Sequence, residues 1–247
     1  MNSYEVLADR YDRLTTDVDY DRWADYLEWQ FQRSGGSVHS VVDLACGTGS
    51  LLFRLAQRGY VMTGVDLSED MLAVAADKCA QLDEPPLLLH QNMAALTLLE
   101  PVDAVVCCLD SLNYVTRPRQ VQRTFERAWQ ALAPGGLFVF DIRSPEMLRS
   151  MDGQICLDET EDTYCVWRGE YSPKRRVLSY YMDLFCLRED GTWERGEELH
   201  EEYAYEADEL GEWLRQVGFS GIKRYGDLKR RPPKPDEERI FFAARKD

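Results

Sequence analysis

With 247 residues, 45% of them hydrophobic, the chain can bury the core of one large α/β domain, and no run approaches the apolar length that crosses a bilayer. It reads as neither disordered nor membrane-spanning. Its 29 lysines and arginines against 44 aspartates and glutamates give a formal net charge of −15, which disfavours nucleic-acid or anionic-membrane partners and suits small or cationic ones.

Met1-Asn2-Ser3-Tyr4-Glu5-Val6 lacks the basic start and apolar core of a signal peptide. The seven cysteines are odd in number, contain no C-x-x-C pair and include the vicinal Cys107-Cys108 in an apolar run. They read as buried thiols in a reducing compartment, so a cytoplasmic location is expected.

In chain order, residues 1–34 are expected to form a helical cap, in which Tyr20, Trp23 and Leu27 share one stripe of an amphipathic helix. Aromatic stripes of this kind are usually core. Residues 35–150 alternate short apolar strands (41–44, 61–65, 87–89, 102–109 and 137–140) with crossover helices such as 69–82 and 119–132, the second stopped by Pro134-Gly135-Gly136. Residues 151–205 change to β alternation (163–167, 177–185 and 198–205) with turns at Ser172-Pro173 and Asp190-Gly191, an insertion that suits a substrate lid. Residues 206–247 resume a helix over Ala207–Val217, stop at Gly218 and end on a strand at 240–244. The expected fold is a three-layer α/β sandwich around a mostly parallel, doubly wound seven-stranded sheet, with an antiparallel β insertion after the fifth strand.

The first strand runs into Asp43-Leu44-Ala45-Cys46-Gly47-Thr48-Gly49 and then a helix, so backbone N–H groups and the positive helix end converge where a cofactor can approach. Seventeen positions beyond Gly49, Asp66 ends the second strand, placed to accept hydrogen bonds from ribose hydroxyls and to disfavour a ribose phosphate. A dinucleotide fingerprint would carry a third glycine where this chain has Leu52, which points to another adenosine cofactor.

Asp43 to Gly49 resembles the first motif of class I S-adenosylmethionine-dependent methyltransferases, D-x-G-x-G-x-G, with Ala45 in place of the first glycine. The similarity runs from about Val41 to Phe140. The resemblance implies S-adenosylmethionine as cofactor, with Gly47 and Gly49 against its methionine moiety, Asp43 near its ammonium, Asp66 on the ribose, and Leu67 and Met71 bordering the adenosine. Turn or cap duty for Asp43 and core packing for Met71 are the competing structural roles. Asn92 would accept from the adenine amino group where the family often has aspartate, and Met93 would offer its backbone N–H. Leu109-Asp110-Ser111-Leu112-Asn113-Tyr114 matches the segment after the fourth strand, which brings in Leu109 and Asn113. The start Tyr11-Asp12-Arg13-Leu14, with Trp23, is similar to small bacterial members whose N-terminal helices close over the cofactor.

Methyl transfer needs a base only when the acceptor arrives protonated, and the candidates are Asp110, Asn113 as an orienting group, Tyr114, Arg143 and His200. His200 leads and Asp110 follows, although the carboxylates flanking His200 compete with base duty and a solvated surface place is its alternative. His39, His90 and His200 are widely spaced, so no metal is expected. With no N-P-P-Y segment and an acidic chain, a small-molecule acceptor leads. An RNA or protein acceptor would require Lys229, Arg230, Arg231 and Lys234, read here as a solvated loop, to lie beside the cleft. A nicotinamide-dependent oxidoreductase and a non-catalytic cofactor-binding protein are the alternatives of another class.

Overall fold

The computed structural model describes residues 11–15, 17–188 and 190–247. The first six residues, which carry the expectation of no leader, lie outside the described residues. Two helices come first, α1 (Tyr11–Leu14) and α2 (Tyr20–Gln32), the second started by Asp19, whose carboxylate accepts the Arg22 N–H at 3.0 Å. Then follow β1 (Ser40–Leu44), α3 (Ser50–Gln57), β2 (Val61–Asp66), α4 (Glu69–Cys79), β3 (Leu87–His90), β4 (Val102–Cys107), α5 (Pro118–Ala131), β5 (Leu132–Arg143) and α6 (Pro145–Ser150). Four strands, β6 (Ile155–Glu159), β7 (Thr163–Ser172), β8 (Val177–Leu187) and β9 (Trp193–Tyr203), precede α7 (Ala207–Val217), β10 (Phe219–Gly226) and β11 (Arg239–Lys246).

The main sheet has the order β10-β11-β5-β4-β1-β2-β3, parallel except that β11 runs against both of its neighbours. Alternation along the central strands feeds two layers. Val42, Leu44, Val105, Phe138 and Phe140 face Phe125 of α5 and Leu210 and Leu214 of α7. Val41, Ala104, Val106 and Val139 face Trp23 and Leu27 of α2 and Leu52 and Leu55 of α3. Each fully buried Leu or Phe contributes about 1.5–3 kcal/mol relative to exposure, so these two layers dominate the stability. This is the expected three-layer sandwich. The strand order reverses between β1 and β4, where a doubly wound sheet opens its binding crevice.

The second sheet is antiparallel in the order β6-β7-β8-β9. Two local expectations need correction. Pro134-Gly135-Gly136 does not end the preceding helix: α5 already stops at Ala131, where Leu132 turns extended, and the Pro-Gly-Gly segment lies in the first part of β5. The apolar run 102–109 is not one strand, because Leu109 and Asp110 take left-handed backbone angles of φ 59° and 53° just past the end of β4. Among the described residues, no helix is long and apolar enough to cross a membrane.

Candidate functional site

A cavity of about 1440 Å³ opens over the carboxyl ends of β1 to β4 and reaches the wall formed by β8 and β9. On its floor the turn after β1 alternates left-handed residues, with Ala45 at φ 57°, Gly47 at 55° and Gly49 at 75°. Alanine takes this conformation at a cost of roughly 1–2 kcal/mol, so the departure from glycine at Ala45 leaves the turn geometry in place. At Gly47 an added Cβ would meet nothing within 4 Å, because the space above it belongs to the cavity.

Asp66, at the end of β2, accepts the Gly47 N–H on Oδ2 at 2.8 Å and the Ser68 N–H on Oδ1 at 2.9 Å. Burial raises its carboxyl above the usual range, opposed by these backbone bonds. Asp43 beneath the turn is buried, and burial together with the neighbouring Asp66 pushes its carboxyl up to about 8. Two destabilised carboxyls beside an open glycine fit a cofactor that carries an ammonium and a ribose diol.

Ala45, Leu67 and Met71 line the same end of the cavity, as do Asn92 and Met93. Met71 is also core, 2% exposed. Asn92 Oδ1 accepts the Ala94 N–H at 2.8 Å and so caps the short turn Met93–Ala95. That contact occupies part of the acceptor expected for adenine and turns the side-chain NH₂ away from the turn.

The N-terminal cap is tied to the glycine turn through one carboxylate. Asp12 accepts from Thr48 Oγ1 at 2.6 Å and from Ser50 Oγ at 3.2 Å, and pairs with Lys78 Nζ of α4 at 2.6 Å. Tyr11 beside it lines the cavity, as does Leu109 after β4.

Trp23, Gly49, Asp110, Asn113, Arg143 and His200, all offered by the sequence as site residues, are not on the cavity wall. Gly49 owes its identity to packing, since a Cβ there would stand 2.9 Å from Ala75 Cβ on α4. Trp23 is buried against Phe241, with ring centroids 5.2 Å apart, and under the Arg239 guanidinium. Asn113 is a buried bracket: Arg143 N–H donates to its Oδ1 at 3.1 Å, and its Nδ2 donates to Tyr203 O at 3.0 Å. Asp110 is buried in an ion network, 2.7 Å from Arg239 and 3.3 Å from Arg143, and those cations hold its carboxyl below the usual range against the effect of burial. Asp141 accepts from Arg239 as well, within the same network, and is likewise off the cavity wall.

His200 is neither solvated nor on the wall. It is 1% exposed, with Nε2 2.8 Å from Glu198 Oε2 and its ring edge-on to Tyr114. Glu198 and Tyr114 do line the cavity. Tyr20 and Ser111 line it too, although the sequence assigns neither a site role, placing Tyr20 on the cap's apolar stripe and Ser111 in the segment after β4. The basic cluster lies elsewhere: Lys229 and Arg231 converge on buried Glu237 at 2.7 and 2.9 Å. Burial would raise that carboxyl, but these bonds and the Lys234 N–H hold it at about 2.

Comparison with known proteins agrees with this geometry. The family model described as "Methyltransferase domain" matches residues 41–136. "Putative methyltransferase GWCH70_2453" of Geobacillus sp. (strain WCH70) is 32% identical over 99% of this chain and 100% of its own length. A crystal structure of an S-adenosylmethionine-dependent methyltransferase from Clostridium acetobutylicum ATCC 824 superposes with TM-score 0.87 at 27% identity, covering 99% of both chains. The sugar N-methyltransferase KedS8 from Streptoalloteichus sp ATCC 53650 shares the fold, with TM-score 0.80 at 22% identity over 100% of this chain and 96% of its own. The chain belongs to the class I S-adenosylmethionine-dependent methyltransferases, and S-adenosylmethionine is its cofactor.

Proposed function

We propose that the chain methylates a small-molecule acceptor held between the strand ends of the core sheet and the β8–β9 wall. The observation that carries this reading is the size of the cavity. Its roughly 1440 Å³ exceeds the roughly 300–1,000 Å³ usual for one small ligand, which leaves room for an acceptor beside the cofactor. The charge of −15 and the engagement of Lys229 and Arg231 by Glu237 disfavour a polyanionic acceptor. The shared fold with a sugar N-methyltransferase supports a small one.

In this reading the described part of the N-terminal cap, 11–15 and 17–34, covers the site, 35–150 and 206–247 hold the cofactor, and 151–205 form the lid over the acceptor. Asp66 takes the ribose hydroxyls on the lone pairs not used by Gly47 and Ser68. Asp43 pairs with the ammonium and ionises as it does so. Asn92, Met93, Leu67 and Met71 surround the adenine, and Gly47 gives the methionine moiety its close approach. Tyr11 and Leu109 close the reactive end. The bound cofactor supplies both the methyl group and its leaving group, so the protein positions and desolvates the reactants. Seven thiols without a disulfide suit a cytoplasmic setting.

The test is to incubate the chain with methyl-labelled S-adenosylmethionine and a metabolite extract filtered free of macromolecules, alongside calorimetric titration with S-adenosylhomocysteine. Label in small products supports the proposal. Label transferred only to added RNA or protein, or tight S-adenosylhomocysteine binding with no transfer, overturns it.

A further inference from the structure

The reaction proposed above lacks an assigned base, and the inference that follows rests on that reading. The strand register places Glu198 of β9 opposite Met182 of β8. Met182 packs with Cys165 and Leu184 against Tyr11. Two residues along the same face of β9, His200 lies with Nε2 2.8 Å from Glu198 Oε2 and its ring edge-on to Tyr114 at 5.9 Å between centroids. Tyr11, Tyr114 and Glu198 all line the cavity, whereas His200 does not. A carboxylate therefore stands on the wall with an imidazole at its back.

Its position along the crevice matters. Asp66 and Asn92 follow β2 and β3, on one side of β1, while Leu109, Ser111 and Tyr114 follow β4, on the other. Glu198 and His200 adjoin the β4 side, away from the adenosine end. Burying an acid and an imidazole in the inner face of a sheet is costly, and apolar residues of similar volume would serve packing as well or better. Glu198 is only 7% exposed, yet it occupies that face beside Met182 and Leu184. The geometry points to Glu198 as the general base of the methyl transfer, a catalytic residue held in place by His200.

The acceptor's nitrogen or oxygen lone pair forms the bond to the methyl carbon while the carbon–sulfur bond breaks, and that bond's electron pair stays on sulfur as a neutral thioether. The proton lost by the acceptor passes to the Glu198 carboxylate, which keeps its hydrogen bond to His200.

Glu198→Gln is the test, in the full chain. Three readouts apply: S-adenosylhomocysteine affinity by calorimetry, the ring signals of ¹⁵N-labelled histidines, of which the chain has 3, and label transfer to the metabolite extract. We expect affinity within about twofold of the parent, displaced His200 signals, and transfer reduced at least about a hundredfold, the scale of a lost general base. Undiminished transfer, unmoved His200 signals or lost S-adenosylhomocysteine binding in a folded variant overturns the assignment. If the glutamine variant fails to fold, Glu198→Asp takes its place. Retaining the charge but withdrawing it by one methylene should cut transfer about tenfold or more with affinity intact, and full transfer overturns the assignment. Absence of transfer by the parent chain itself would instead overturn the proposed function, and this inference with it.

Discussion

Asp66 Oδ2 accepts the backbone N–H of Gly47 at 2.8 Å, so the acid ending β2 and the glycine following β1 form one hydrogen-bonded unit. Asp66→Ala removes the proposed ribose acceptors and also releases the Gly47 N–H. S-adenosylhomocysteine affinity should fall by about 1.5–3 kcal/mol, as for a charged hydrogen-bonding group, when measured by calorimetry. Unchanged affinity would remove Asp66 from the cofactor site.

Gly47 and Gly49 should separate binding from stability. Gly47→Ala adds a methyl to open cavity space, so it should weaken S-adenosylhomocysteine binding while costing only the roughly 1–2 kcal/mol of a left-handed alanine. Gly49→Ala adds that strain to a collision with Ala75 and should destabilise by about 2–4 kcal/mol in urea denaturation. Equal stability losses in the two variants would contradict the packing role assigned to Gly49.

The raised carboxyl of Asp43 makes both folding and binding depend on pH. Between about 4 and about 8 the unfolded chain has lost a proton that the folded chain keeps, so this residue's contribution to stability declines as pH rises through that window. Asp43→Asn should flatten the decline and be more stable than the parent near pH 8. If Asp43 ionises on meeting the cofactor ammonium, S-adenosylhomocysteine binding near pH 7 releases a proton. The calorimetric enthalpy should then vary with the ionisation enthalpy of the buffer in the parent but not in Asp43→Asn.

Glu237 behaves in the opposite sense. Its folded carboxyl at about 2 lies below the ordinary value, so the stabilisation is complete above about pH 4.3 and is lost as pH falls toward 2. Glu237→Gln should therefore lower the Tm at pH 7 and converge on the parent near pH 2. A constant difference across that range would refute the ion pairs with Lys229 and Arg231.

The residues whose place on the cavity was legible are those set by a short stretch of sequence. Asp43, Gly47, Asp66 and Asn92-Met93 stand at strand ends followed by turns, and a short window of sequence carries that pattern. Trp23, Gly49 and Asn113 stand in equally recognisable segments, but their contacts are with Phe241, Ala75 and Tyr203, partners no local pattern announces. The segment Glu197-Glu198-Leu199-His200-Glu201-Glu202 misleads most, because its charge suggests a solvated edge. In the fold Glu198, His200 and Glu202 are buried and Leu199 is exposed, the reverse of hydropathy, and residues of both faces of β9 reach the cavity, Glu198 from one and Glu197, Leu199 and Glu201 from the other.

Asn113 grips Arg143 and Tyr203 with one amide, although those residues lie 60 positions apart in the sequence. The whole β6–β9 excursion thus leaves and rejoins the core at neighbouring points, like a handle bolted at both ends to one plate. Lengthening such a closed excursion costs little, about 0.6 kcal/mol per doubling for a flexible chain, and need not disturb the sheet that carries the cofactor. On the proposed reading of the handle as the acceptor's lid, rewriting it would exchange what is methylated, and a graft cut at Arg143 and Tyr203 is where an engineer would begin.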